Sequence, residues 1–169
     1  MNTSTSSVVS AKEPDWSREQ KAFFMWDPSR SLLASIRSYQ KYCKRNSIWF
    51  YFLKKTAIIR YRFWSVVTGA EIAINTQIGG GLQIPHPNGI VIHSKAIIGP
   101  NCLIFQQVTI GTANGEGPPV LGGHVDIGAG AKILGDIELG DHVRIGANAV
   151  VLKDVPAGKT ALGIPARIL

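Results

Sequence analysis

Cysteine is scarce in this chain. Cys43 and Cys102 alone cannot make a disulfide framework, and a reducing cytoplasm is the expected compartment. Long apolar runs are also missing: the longest bulky one, Ile48 to Leu53, is far too short to cross a bilayer. The stretch Met1 to Asp15 lacks the basic start and apolar core of an export signal. Acidic residues are few, 11 against 18 lysines and arginines, for a net charge of +7. That surplus calls for an anionic partner: nucleic acid, a membrane surface or a phosphorylated small molecule. What is plentiful is apolar residues, 45% of 169, which excludes disorder throughout and allows one domain with a short appendage.

The apolar residues of the second half follow a period that is neither helical nor that of a simple strand. Ile127, Ile133, Leu139, Ile145 and Val151 recur every six residues, with a small or apolar residue four places on at Ala131, Ile137, Val143 and Ala149. A helix needs a period near 3.6 and a strand one near 2. Six fits short strands joined by tight turns, stacked as the rungs of a parallel β-helix. The same count runs through Ile72, Ile78 and Ile84, slips by two residues over Pro85 to Gly89, and resumes at Ile92, Ile98, Ile104 and Ile110. Cys102 occupies a small inward slot and is expected in the core. The Gly- and Pro-rich stretch from Thr112 to Gly123 reads as an extruded loop, and loops on a rigid repeat are where binding residues concentrate.

The domain reading is therefore a mainly β chain. Residues 1–14, rich in Ser, Thr and Ala, form a disordered tail; residues 15–68 form an N-terminal helical cap; residues 69–169 form the β-helix, with the loop at 112–123. Asp27-Pro28 is a helix-start signal, an N-cap acceptor before Pro at the first helical position. A second helix is expected over 47–67, ending near Gly69. It mixes Trp49, Phe50, Phe52, Phe63 and Trp64 with Lys54, Lys55, Arg60 and Arg62. Two readings stand for it: a cap over the open end of the stack or a subunit contact, and a helix lying at a membrane surface. No nucleic-acid motif is present.

His86 is the main candidate for chemistry. It stands where the chain turns out of the ladder, between Pro85 and Pro87, which fix its backbone in an extended form. Imidazole can take a proton from a hydroxyl at neutral pH, and a positioned general base is worth about 10² to 10⁴ in rate. Glu71, fifteen residues earlier and nearly one coil away, could hold the other ring nitrogen. His124 and His142, eighteen residues apart, should stack one coil above the other, but no third ligand stands at a convincing spacing. A solvated ladder with no metal is expected, and His93 gives nothing to argue from.

The run HPNGIVIH, the stretch QQVTIGT, the repeat VDIGAGAKILG, then IGANAVVLKDVP and the closing GIPARI resemble the serine acetyltransferase branch of the hexapeptide-repeat acyltransferases, from about Gly69 to Leu169. The resemblance implies a left-handed parallel β-helix, against the usual right-handed crossover preference, and homotrimers with active sites between subunits. Pairing of trimers through the N-terminal helices stays open. It implies a catalytic dyad at His86 and Glu71, where serine enzymes usually carry Asp in place of Glu, and direct acetyl transfer from acetyl-CoA, with the Gly111 amide as a candidate donor to the oxyanion. The implied CoA surface is Gly111, Ala129 and Ala147, whose small side chains let the pantetheine arm approach the backbone, with Arg144, Lys159, Thr160 and Arg167 at the phosphate end.

Two departures bear on the acceptor. Pro85 stands where serine-specific enzymes have Asp, and Gly117-Pro118 where they have an Arg-His pair. A zwitterion needs both a cation and an anion, and the loop offers only Glu116. The expected acceptor is therefore a sugar hydroxyl of a capsule, O-antigen or exopolysaccharide. The alternatives are serine in cysteine biosynthesis, a metal protein like the γ-carbonic anhydrases, and a structural β-helix. A cytoplasmic protein is expected, with the inner face of a membrane as a second possibility.

Overall fold

The structure, a computed structural model, describes residues 9–22, 25–45 and 47–169. Helix α1 (Pro28–Cys43) starts where the sequence signals it: the Asp27 Oδ1 accepts from the Arg30 amide at 3.0 Å, and Pro28 is the first helical residue. Helix α2 (Ile48–Thr68) packs against α1 and ends at Gly69, whose φ of +63° is the left-handed stop that glycine adopts without penalty.

Five coils follow. The first holds β1 (Glu71–Ile72) and β2 (Gln77–Ile78), with a single bridge at Gln83. The second holds β3 (Val91–Ile92), β4 (Ile97–Ile98) and β5 (Leu103–Ile104); the third, β6 (Thr109–Gly111), β7 (Val120–Leu121) and β8 (Asp126–Ile127). The fourth holds β9 (Lys132–Leu134), β10 (Glu138–Leu139) and β11 (Arg144–Ile145); the fifth, β12 (Val150–Val151), a bridge at Val155 and β13 (Thr160–Leu162). Strand β14 (Arg167–Ile168) folds back antiparallel on β13.

All other pairings are parallel, so three sheets form the faces of a left-handed prism. The first stacks Ile72, Ile92, Ile110, Ile133 and Val151 in register. The second stacks Ile78, Ile98, Leu121 and Leu139, and the third Ile104, Ile127, Ile145 and Ala161. Every one of these side chains is buried. At about 1.5–3 kcal/mol for each buried aliphatic side chain, the column is the main source of stability. Cys102 is also fully buried, and burial pushes its thiol up to about 11.

Two boundaries differ from the sequence reading. Val120–Leu121 lies inside the stretch read as loop, yet Leu121 is a buried rung paired with Ile98 and Leu139. It stands six residues before Ile127, so the period was present; the neighbouring Pro and Gly residues masked it. The N-terminal tail also differs in part. Residues 1–8 lie outside the described residues, but residues 9–14 run along the prism edge between the second and third sheets. There the fully buried Asn101 donates to the carbonyls of Ser10 and Glu13 and accepts from the Asp15 amide at 2.8 Å. Gly123 leaves room for the Ala11 carbonyl, which any Cβ at that position would strike.

Glu19 and Arg37 join this segment, α1 and the first coil. Their 2.8 Å ion pair is largely buried. Glu19 also accepts from the amides of Gly81 and Leu82, and Arg37 donates to the carbonyls of Ile78 and Gly79. Among the described residues no helix is long and apolar enough to cross a membrane.

Candidate active site

The corner between the third and first sheets carries His86. In the upper coils this corner is a short turn through Gln107, Gly130 or Asn148, each at positive φ. In the first coil Pro85 to Gly89 lengthens it by two residues and pushes His86 outward, exposed, with its ring 6.4 Å from the Phe105 ring and inclined to it by 29°. The lengthened turn is pinned: the Gly89 amide donates to the Gly69 carbonyl at 2.9 Å, and the Gln107 amide to the Asn88 carbonyl at 3.0 Å.

Glu71 sits two residues beyond Gly69 on β1, in register with Val91 on β3, and no hydrogen bond joins its side chain to that of His86 among the described residues. The Tyr61 phenol, which donates to the Ile72 carbonyl, is held above its ordinary range by burial and then by the Glu71 charge.

His86 opens onto a cleft of about 700 Å³ between the first coil, the start of α1 and the end of α2. Three charged residues line it that the sequence reading did not connect with His86: Arg18, Asp27 and Arg30. Asp27 caps α1 through Oδ1 and meets the Arg30 guanidinium through Oδ2 at 3.3 Å. Arg30 Nε donates to the Arg18 carbonyl, and Arg18 itself donates to the Asn101 carbonyl and to Gln83 Oε1. The cleft thus offers a carboxylate and two guanidiniums within one cavity. Nothing in the spacing of residues 27 and 86 could have signalled this; it depends on where α1 docks.

The residues matched to CoA binding fall into two groups. Arg144 pairs directly with Thr160 across β11 and β13, its amide donates to the Lys159 carbonyl, and Arg167 lies beside Leu162 on β14, so all four converge at the last coils of the third sheet. Ala129 and Ala147 stack next to them, the Asn148 amide donating to the Ala129 carbonyl at 2.8 Å. Gly111 stands apart, at the C-terminal end of β6, whereas Ala129 and Ala147 precede β9 and β12.

His124 and His142 stack one coil apart, with Nδ1 to Nδ1 at 2.8 Å. Both occupy corner positions of positive φ, as Asn101 does one coil below, a conformation in which Asn and His are enriched. Among the described residues no three His, Cys, Asp or Glu side chains converge on a metal site.

A model of the bacterial transferase hexapeptide (six repeats) matches residues 118–153. Serine acetyltransferase from Synechococcus elongatus is 42% identical over 132 residues, 75% of this chain and 54% of that protein. The enzyme of that name from Helicobacter pylori strain J99 is 46% identical over 123 residues, 71% of this chain and 70% of its own length. Among solved structures, a serine acetyltransferase in complex with CoA superposes with a TM-score of 0.70 at 35% identity, over 86% of this chain and 58% of that one. The Neisseria gonorrhoeae serine acetyltransferase in complex with serine superposes with a TM-score of 0.67 at 33% identity, over 84% and 57%. The chain spans about half the length of the Synechococcus relative. With the stacked hexads, the corner histidine and identity of this extent, the chain belongs to the serine acetyltransferase family of hexapeptide-repeat proteins.

Proposed function

We propose that the chain is an acetyl-CoA-dependent O-acetyltransferase whose acceptor is the hydroxyl of serine or of an amino acid of like charge. The observation that carries the acceptor is the pairing of His86 with a cleft holding both signs of charge. Asp27 supplies an anion for the acceptor's ammonium, and Arg30, whose Nη2 has no partner among the described residues, a cation for its carboxylate.

The saccharide acceptor expected from Pro85 and Gly117-Pro118 is set aside. The relatives are serine acetyltransferases by name, and the expectation counts charge in the loop alone, whereas α1 brings Asp27 and Arg30 to the cleft.

In this reading His86 takes the proton from the acceptor hydroxyl as the oxygen attacks the thioester carbonyl. The C–S bond breaks, and the imidazolium returns its proton to the CoA sulfur. In the same reading Glu71 is the carboxylate that orients the ring and supports the imidazolium. Arg144, Lys159, Thr160 and Arg167 suit the CoA phosphates, and Ala129 and Ala147 the close passage of its pantetheine arm. Gly111 lies across the first sheet from these two, so a cleft using all three is more simply built between two copies, as in a homotrimer.

The acceptor is tested by thiol release from acetyl-CoA with L-serine and with a saccharide panel. Asp27→Asn, which keeps the helix cap, and Arg30→Ala are expected to raise the KM for L-serine about tenfold or more, with the KM for acetyl-CoA unchanged. Turnover with a saccharide alone would overturn the acceptor.

A further inference from the structure

Helix α2 has two unlike faces. Ala57 and Thr68 are buried, and Tyr61 and Trp64 are half-buried; Tyr61 donates to the Ile72 carbonyl and Trp64 packs on Trp26. On the opposite side Trp49, Phe52, Thr56, Ile59, Phe63 and Val66 follow at alternating steps of three and four, forming one straight stripe along the helix. Its apolar members are 55–83% exposed. A continuous apolar stripe of this kind on a surface marks an interaction site.

The step pattern alone would suit a seam with a second copy of the helix, but the flanks argue against it. Lys55 and Arg62 border the stripe on one side and Arg60 on the other, and α2 contains no acidic residue. Two copies, parallel or antiparallel, would set these cations against one another with nothing to neutralise them. Lys44 and Arg45 add to the charge at the helix's start. Exposed aromatics bordered by cations, on a helix too polar to span a bilayer, have the chemistry of a helix lying in an anionic lipid interface.

We propose that α2 docks on an anionic bilayer surface, with Trp49, Phe52, Ile59 and Phe63 entering the boundary between headgroups and acyl chains and Lys55, Arg60 and Arg62 meeting lipid phosphates. The apolar stripe supplies the burial and the cations supply the preference for anionic lipid. The inference does not depend on the identity of the acceptor.

The test is co-sedimentation of the full chain with vesicles of mixed phosphatidylglycerol and phosphatidylcholine, and with phosphatidylcholine alone. The chain is expected to sediment with the anionic vesicles, less so as salt is raised. The double variant Lys55→Glu/Arg62→Glu should partition about tenfold or more weakly, and Phe52→Ser/Phe63→Ser should stay in the supernatant while keeping its thiol-release activity and melting temperature. Equal binding to neutral vesicles, or no binding to either, would overturn the proposal. So would self-association in sedimentation velocity that Phe52→Ser/Phe63→Ser abolishes while vesicles are ignored, because a second copy would then be the occupant.

Discussion

His124 shows how a corner residue of this fold acquires a chemical property from its place in the stack. Its backbone takes a conformation that suits Asn and His, and stacking at eighteen residues brings its Nδ1 to that of His142. In such a pair one nitrogen must donate and the other accept, so two charged rings cannot share the bond. Burial holds the His124 imidazole below its ordinary value; His142, Arg18 and Arg144 act the same way, and Asp126 opposes them. Because the folded form resists the proton, the unfolded chain binds it first, so the stability tied to this residue is present above about 6.5 and is lost as pH falls below it. The melting temperature is expected to drop between about pH 7.5 and pH 5.5, and to drop less in His124→Asn, which suits the same backbone. An unchanged slope in that variant would remove the role assigned to His124. The eighteen-residue spacing made the stacking legible in the sequence; the direction of the titration was not, since it depends on burial.

Among the elements, the rungs were the most legible and the docking of α1 the least. A period of six predicts one buried aliphatic per rung, and each position from Ile72 to Val151 obeys it. Only Leu121 escaped, hidden by surrounding turn residues. The clamp between α1 and the first coil has no such signature: Glu19 and Arg37 are eighteen residues apart, and their partners at Gly79, Gly81 and Leu82 lie much further along the chain. Arg37→Ala would leave the mostly buried Glu19 carboxylate with amide donors but no cation, at a cost of roughly 3 kcal/mol. The expected readout is an earlier midpoint in urea, with the cleft at His86 loosened because α1 carries Asp27 and Arg30. A midpoint equal to the native one would mean that the helices are held mainly by apolar packing around Leu32, Leu33 and Ile36.

At the scale of the whole molecule, the two implied parts of the CoA surface lie at opposite ends of the strands of the first sheet. A homotrimer in which an edge of one prism faces an edge of the next would bring them together. Light scattering is expected to give the mass of three chains or a multiple of it, and a monomer at working concentration would contradict that arrangement. The sequence could point to His86 because its corner breaks the period. It could not point to Asp27 or Arg30, which reach the cleft only through the packing of two helices on the first coil. For the same reason, charge counted in the loop alone points to a sugar hydroxyl.

The proposed reaction is acetyl transfer to serine with His86 as the base, and its direct readout is thiol release from acetyl-CoA in the presence of L-serine. The native chain should release CoA in proportion to L-serine, and His86→Ala should lose about 10² or more of that rate while still binding acetyl-CoA. Serine-dependent release that survives in His86→Ala would remove the base role from His86, and no release with L-serine despite bound acetyl-CoA would remove serine as the acceptor.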